Sequence, residues 1–139
     1  MPEAEAFLGT WQITREIHDA KAGARAQFAG SAQITVAGAR WRYAESGQLT
    51  LAGGASFHAA RVYLWQPFAQ RIDVSFEDGR FFHTIALAAP DSGRAEASHW
   101  CDPDQYDVSY DLSAWPVWRA TWRVRGPKKD YQMTSLYTR

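Results

Sequence analysis

Residues 7–17 read Phe-Leu-Gly-Thr-Trp-Gln-Ile-Thr-Arg-Glu-Ile, and the alternation within this stretch decides the fold. Trp11, Ile13 and Ile17 place apolar side chains on one parity, and polar side chains stand between them. This two-residue period predicts a β-strand with one face in a core. Arg15 lies on the apolar face. A charge in that position needs a partner or a function.

Gly9 and Trp11 mark one end of the predicted core. A glycine lets the backbone turn sharply into the strand, and a tryptophan two positions later supplies a large apolar plug. The preceding segment 2–8 predicts one short helical turn, because it has a proline near its start and is followed by Gly9. Such a turn could cover the same end of a barrel.

The composition predicts one domain and argues against two classes of partner. The 139 residues fit a single domain spanning 1–139. Lys plus Arg equals Asp plus Glu at 15 each, so no net charge attracts nucleic acid or an anionic membrane, and we expect neither as a partner. An aromatic fraction of 14% with 7 Trp favours strands around a wide core over a helical bundle.

Three features predict a cytoplasmic protein. Cys101 is the single cysteine, so it has no partner for an internal disulfide and fits a reducing compartment. The acidic segment 1–6 lacks the basic and apolar regions of a signal peptide. Apolar runs stay far shorter than the roughly 18 residues that mark a membrane-spanning helix.

Alternating segments separated by turn residues continue along the chain. About ten strands result, with no amphipathic segment long enough for a major helix. This pattern predicts an all-β fold, either an up-and-down antiparallel β-barrel or a sandwich. Ser46 and Gly47 predict a turn between two strands, and 90–93 predicts a loop. The segment 57–65 has large apolar residues on both parities, so its inner face is left unassigned.

Two hairpins can be aligned from their turns. Asp78 and Gly79 form a two-residue turn signal that places Val74 opposite His83. The predicted inner face of this hairpin holds Ile72, Val74, Phe76, Phe81, His83, Ile85 and Leu87, with Phe76 opposite Phe81 and with Phe82 on the outer face. His83 is therefore expected to point inward.

The second hairpin is predicted with Pro103 and Asp104 as its central residues. This alignment places Cys101 opposite Tyr106 and His99 opposite Val108. The predicted inner face holds Ala97, His99, Cys101, Tyr106, Val108 and Tyr110, with Trp100 outside. In the next segment, 117–125, the inner parity holds Trp118, Ala120, Trp122 and Val124, and basic residues occupy most of the outer parity.

The two ends of the chain carry a resemblance to a known superfamily. Gly9, Thr10 and Trp11 open the first strand, and Tyr137 and Arg139 close the last. In this the chain resembles the calycin superfamily of lipocalins and fatty-acid-binding proteins, and most of all an uncharacterised bacterial lipocalin-like family of unknown function. The resemblance implies a single up-and-down barrel that holds a cavity for a small molecule.

The same resemblance implies a role for a basic residue near the C-terminus. In calycins the Gly-any-Trp element plugs the closed end of the barrel, and a late basic residue packs over the tryptophan ring. Trp11 and Arg139 would be these partners here, with Arg123 or Arg125 as alternatives for the basic residue.

Arg15 is the first candidate for ligand binding. A guanidinium stays charged when buried and offers a rigid fork for a carboxylate or phosphate. The alternatives are that Arg15 pairs with a buried acid or reaches water at the rim. His83 and His99 could supply polar contacts or acid-base groups, and the alternative is a buried neutral histidine hydrogen-bonded to a tyrosine.

The remaining candidates are side chains on the predicted inner faces. Tyr106 and Tyr110 would add hydroxyl groups, and Cys101 would be either a nucleophile or a small buried apolar residue. Apolar walls are expected from Trp41, Phe76, Trp118 and Trp122. His99 and Cys101 share a face without a third ligand at fixed spacing, so we expect no metal site. We also expect no cofactor.

These observations predict a barrel that binds a small, partly apolar ligand, which could carry an anionic group. One alternative is a cofactor-free isomerase or hydrolase that uses His83 or His99 as acid-base and Arg15 as an oxyanion contact. A haem-binding barrel is a second alternative. The third is an interaction module that uses Trp100 or the basic outer residues of 119–129. The sequence leaves the oligomeric state open.

Overall fold

The computed structural model describes residues 1–87 and 92–139, and within them the chain forms ten antiparallel strands after one short 3-10 turn. The predicted loop over 90–93 falls partly outside the described residues. The 3-10 turn is Ala4–Phe7, and the strands are β1 Gly9–Asp19, β2 Ala24–Ala37, β3 Arg40–Leu51, β4 Ser56–Phe68, β5 Arg71–Phe76, β6 Phe81–Ala86, β7 Arg94–Cys101, β8 Asp104–Asp111, β9 Trp118–Arg125 and β10 Asp130–Thr138. Within this part of the chain, no helix has the length and hydropathy needed to cross a membrane.

The strands β1 to β6 pair in chain order, the strands β7 to β10 do the same, and β1 pairs with β10. The sheet therefore runs in the order β6-β5-β4-β3-β2-β1-β10-β9-β8-β7 and curls into a nearly closed barrel. No strand pairing joins β6 to β7 within residues 1–87 and 92–139. The prediction of an all-β, up-and-down antiparallel barrel with a short N-terminal helical turn is confirmed.

One end of the barrel is filled by aromatic side chains around Trp11. The Trp11 ring is completely buried, and its Nε1 donates to the carbonyl of Phe7 at 2.8 Å. Trp115 and Trp118 meet the Trp11 ring edge-on, with centroids 5.5 and 5.7 Å away. Edge-to-face packing suits the charge distribution of aromatic rings, so these side chains fill the end densely.

Arg139 covers the outer face of this plug. Its guanidinium carbon lies 3.8 Å from the centroid of the Trp11 ring, a cation–π distance. The two terminal nitrogens donate to the carbonyls of Leu8 and Ala6 at 2.8 and 2.7 Å. Gly9 has a φ of 117°, a conformation that favours glycine. The pairing of Trp11 with Arg139 is thus the one that the calycin resemblance implies.

The predicted turn at Ser46 and Gly47 is wrong, because β3 runs unbroken through both residues. Gly47 lies directly opposite Gly30 of β2. A Cβ atom on Gly47 would lie 2.6 Å from the Gly30 Cα, so the two glycines let the strands approach more closely than side chains would allow. Gly47 therefore marks a close contact between β2 and β3, and not a turn.

The first predicted hairpin is correct from the Arg71–Ala86 pair to the Val74–His83 pair and wrong nearer the turn. Val74 lies opposite His83 as predicted, but Phe81 lies opposite Ser75. The connection is a three-residue loop that ends at Gly79, whose φ is 93°, and such loops commonly combine a left-handed residue with a bulge. The ladder shifts between Val74 and Ser75.

The shift exchanges the roles of two phenylalanines. Phe82 is buried and Phe81 is exposed, the reverse of the prediction. A bulge sets two residues against one on the partner strand, so alternation fails locally. Phe82 and His83 consequently both reach the interior.

The second hairpin turns one residue earlier than predicted. Its central residues are Asp102 and Pro103, and Cys101 pairs with Asp104. The bond before Pro103 is cis, and proline then takes the third position of the turn instead of the second. The pairing shifts by two residues, so His99 lies opposite Tyr106 and the predicted faces are kept.

The inner face of β4 is the one that carries Tyr63 and Trp65. These two residues lie opposite Tyr43 and Trp41 of β3. Trp65 is buried and Tyr63 is partly buried, whereas Phe57 at the start of the strand is exposed. The apolar residues of the other parity, Val62 and Leu64, are half-buried on the outer face.

Candidate functional site

The barrel interior contains a cavity of about 170 Å³. Eight aromatic side chains line it, namely Tyr43, Tyr63, Trp65, Phe82, Tyr110, Trp118, Trp122 and Tyr137. Trp118 also packs against Trp11, with ring centroids 5.7 Å apart. The cavity therefore begins where the plugged end of the barrel stops.

Arg15 and Glu45 form a buried ion pair on the polar side of this cavity. The two terminal nitrogens of Arg15 donate to the two Glu45 carboxylate oxygens at 2.7 and 2.9 Å. Arg15 Nε donates to Ser135 Oγ at 2.6 Å. The side chains are only 15% and 8% exposed. This two-point geometry is the strongest way for a guanidinium to hold a carboxylate.

Two tyrosines extend the pair into a hydrogen-bonded chain. The Tyr43 hydroxyl donates to Glu45 Oε1 at 2.6 Å. The Tyr43 and Tyr137 hydroxyl oxygens lie 2.7 Å apart. Because the Tyr43 hydrogen is already used, Tyr137 is the donor in that contact. All four side chains of this network line the cavity.

Both members of the ion pair are charged at neutral pH. Burial alone would raise the pKa of the Glu45 carboxyl, but the hydrogen bonds and charge of Arg15 outweigh burial and lower that pKa. Burial works against the charge of Arg15 too, and its contacts with Glu45 leave its pKa raised. The charge of Arg15 is therefore matched within the protein, as in the alternative that paired it with a buried acid.

Glu45 is the main site residue that sequence reasoning missed. It shares its parity with Trp41 and Tyr43 in the run Trp-Arg-Tyr-Ala-Glu. That alternation places Glu45 on the inner face. The alternation therefore contained the signal, although Glu45 stands at the end of the predicted strand, next to the turn expected at Ser46 and Gly47.

His83 is a second polar group on the cavity wall. It is 4% exposed, and its Nε2 lies 2.7 Å from the Tyr110 hydroxyl. Burial, together with the nearby His99, lowers the pKa of His83 to about 3. His83 is therefore neutral at physiological pH, which is the arrangement of a buried histidine bonded to a tyrosine.

The predicted site residues divide into two groups. Those that line the cavity are Arg15, His83, Tyr110, Trp118 and Trp122. The others lie elsewhere: His99 is half-buried against Phe82, Tyr106 accepts from Lys129 Nζ at 3.2 Å, and Cys101 is exposed.

Two of the four side chains expected to form the apolar wall of the cavity belong instead to the surrounding core. Trp41 is buried beside Trp65, and Phe76 stacks on Phe82 with ring centroids 4.4 Å apart. Neither is among the cavity-lining residues. Phe82, predicted to face outward, takes the place of Phe76 in the wall.

The basic residues at the end of β9 and after it are matched by aspartates. Arg123 contacts Asp130 at 2.6 Å, and Lys129 contacts Asp104 at 3.0 Å. A further pair joins Arg125 to an aspartate of β8 at 3.3 Å. The positive charge of this outer surface is therefore largely compensated. Across the described residues, no three His, Cys, Asp or Glu side chains are grouped as a metal ion would require.

The low pKa of His83 predicts a specific loss of stability in acid. Between pH 6.5 and about 3 the unfolded chain binds a proton at His83 that the folded protein does not, so stability falls as the pH falls. The largest slope that one such group adds is about 1.4 kcal/mol per pH unit. Urea unfolding of His83→Phe from pH 6.5 to 4.5 should therefore give a shallower decline than the wild type. His18→Phe, at an exposed position, is the control. Equal slopes for His83→Phe and the wild type would contradict the burial argument.

Comparison with solved structures supports the fold. The S-type phycobiliprotein lyase CPES from Guillardia theta aligns with a TM-score of 0.62 and 10% identity, over 96% of this chain and 86% of the lyase. A redesigned β-barrel, mFAP1, bound to DFHBI, aligns with a TM-score of 0.44 and 16% identity over 100% of both chains. At this identity the lyase shares the fold, and membership of the calycin superfamily stays a prediction.

Comparison of the sequence places the chain in a family. No curated protein matches it. A family of unknown function, DUF6314, matches residues 7–139. This match starts at Phe7 and ends at Arg139. It therefore includes all ten strands, the cavity-lining residues and the contact between Trp11 and Arg139. The chain therefore belongs to the DUF6314 family.

Proposed function

We propose that this protein binds a small, mostly apolar molecule inside its barrel. The cavity of about 170 Å³ carries the proposal. Protein interiors pack densely and leave few voids larger than a water molecule. An apolar cavity of roughly 150 Å³ is enough to hold benzene. The space here suits a ligand of one or two fused rings, with any further substituent at the open side, where the lining residue Arg61 is exposed.

The charged groups around the cavity favour an anionic substituent on that ligand. Arg15, Arg61 and Glu45 line it, and His83 is neutral, so positive charge exceeds negative charge by one. Arg61 is exposed and lies opposite Glu45 on the neighbouring strand. Because Glu45 already holds Arg15, Arg61 is the cation better placed to meet a carboxylate near the open side.

A fluorescence titration tests the proposal. Trp65, Trp118 and Trp122 line the cavity, so 2-naphthoate should change tryptophan emission in a saturable way. Ala120 also lines the cavity, and Ala120→Leu should fill it and abolish the response. Ala29→Leu, on the outer face, should retain the response. No saturable response in the wild type, or equal binding by Ala120→Leu, would contradict the proposal.

Two further measurements test the anionic substituent and the presence of a bound ligand. Arg61→Gln should weaken binding of 2-naphthoate and leave binding of naphthalene unchanged; equal effects on both would refute the anionic substituent. Native mass spectrometry of the purified protein should retain a small added mass. A Soret band in its absorption spectrum would instead support the haem alternative.

The enzyme alternative has less support from the geometry. A histidine with a pKa of about 3 is a weak general base at neutral pH. The Arg15 charge is matched by Glu45, which reduces what it offers a developing oxyanion. His99 is not among the cavity-lining residues. Binding is therefore the function that these contacts favour.

A further inference from the structure

Two buried nitrogen atoms on the cavity wall have no hydrogen-bond partner in the described part of the chain. They are His83 Nδ1 and Trp118 Nε1. Both side chains line the cavity, and they are only 4% and 1% exposed. Buried polar groups in folded proteins are nearly always paired, so each exception calls for a bound partner or another explanation.

Trp118 Nε1 is a donor, and His83 Nδ1 is a donor when the Tyr110 hydroxyl donates to the other ring nitrogen. An indole Nε1 always carries a hydrogen. The Tyr110 hydroxyl, which burial keeps protonated by holding its pKa well above the usual value, has His83 Nε2 as its partner at 2.7 Å. If the hydroxyl donates to Nε2, the hydrogen of the neutral imidazole resides on Nδ1. Two N–H groups of cavity-lining side chains then lack an acceptor within the described residues.

The surrounding rings restrict the shape of that acceptor molecule. Phe82 and Trp122 stack at 13° between ring planes, and His83 stands at 86° to Trp122. Trp118 lies flat against Tyr137, at 4° between ring planes and 3.8 Å between centroids. The cavity is thus bounded by the faces and edges of flat rings, which pack best against another flat ring.

We infer that the ligand is a flat aromatic compound with a hydrogen-bond acceptor, a ring nitrogen or a carbonyl oxygen, on its buried edge. This acceptor takes a hydrogen bond from His83 Nδ1–H, from Trp118 Nε1–H, or from both. The inference rests on the proposed function, because it concerns the same cavity. It adds the chemical class of the ligand's buried end, whereas the anionic substituent proposed above lies at the other end, near Arg61.

Naphthalene and quinoline provide the test, because they share a shape and differ by one ring nitrogen. Their affinities should be measured at pH 8, where quinoline is neutral, for the wild type and for His83→Phe and Trp118→Phe. The informative quantity is the ratio of the naphthalene to the quinoline dissociation constant. Removal of the ring nitrogen from water costs the same in every variant, so it cancels when ratios are compared.

The ratio is expected to fall about fivefold in at least one of the two variants, the change that one neutral hydrogen bond supports. Trp122→Phe is the matched control, since Trp122 lines the same cavity and is only half-buried; its ratio should stay unchanged. Unchanged ratios in both test variants would overturn the inference and leave the proposed function standing. Failure of both probes to bind the wild type would overturn the two together.

A measurement on the wild type covers the case in which a variant does not fold. In a ¹H–¹⁵N spectrum, quinoline should move the Trp118 Nε1–H or the His83 Nδ1–H resonance downfield, as a new hydrogen bond does, and naphthalene should not. Equal shifts with both probes would overturn the inference.

Discussion

Glu45→Leu is expected to lower the free energy of unfolding by about 3–5 kcal/mol. The substitution leaves the Arg15 guanidinium buried without its counter-ion, and it removes the acceptor of the Tyr43 hydroxyl. Equilibrium unfolding in urea at pH 7 measures the change. The loss comes from stranding a charge and not from the attraction within the pair, because removal of both ions from water offsets most of that attraction.

The double variant Arg15→Met, Glu45→Leu separates these two contributions. It removes both charges, so it should recover most of the stability that Glu45→Leu loses. Arg123 and Asp130 form a matched control at 2.6 Å on the outer surface, and Asp130→Asn should change stability far less because both side chains are substantially exposed. If the double variant were no more stable than Glu45→Leu, the stranded charge would not be the cause.

Trp11→Ala is expected to destabilise the fold by about 3–5 kcal/mol, the range for removing a large aromatic side chain from a core. The ring is completely buried, donates to the Phe7 carbonyl at 2.8 Å and supports the Arg139 guanidinium at 3.8 Å. Urea unfolding monitored by far-UV circular dichroism measures the loss.

Trp100→Ala provides the matched control for Trp11→Ala. Trp100 is the most exposed large aromatic residue on the outer face of β7, so its removal should leave stability nearly unchanged. Similar losses for the two variants would show that Trp11 does not close the barrel end as described.

Alternation alone predicted much of the barrel, because every second residue of a strand with one buried face is apolar and so identifies that face. The inward position of Arg15 and the inner face of β9 follow from it directly. The position of Phe82 does not, since a bulge is decided by the loop at Gly79 and by packing on the neighbouring strand.

The partner of Arg15 was harder to predict for a different reason. Glu45 is two strands away, with β2 between them. No local sequence pattern shows which inner residues of non-adjacent strands are in contact. Parity could place each residue on the inner face, and only the curvature of the closed sheet brings them together. Parity likewise placed His99 and Cys101 on the inner face but could not show that they lie away from the cavity.

The Arg15–Glu45 pair also bears on how the chain avoids incorrect strand alignments. The pair spans β2, so it forms only when β1, β2 and β3 all have the correct register. A slip of one residue in β1 or β3 would turn one charge to solvent and bury the other alone. We therefore expect this ion pair to act as a proofreading contact: it adds little net stability to the correct barrel and penalises the misaligned ones.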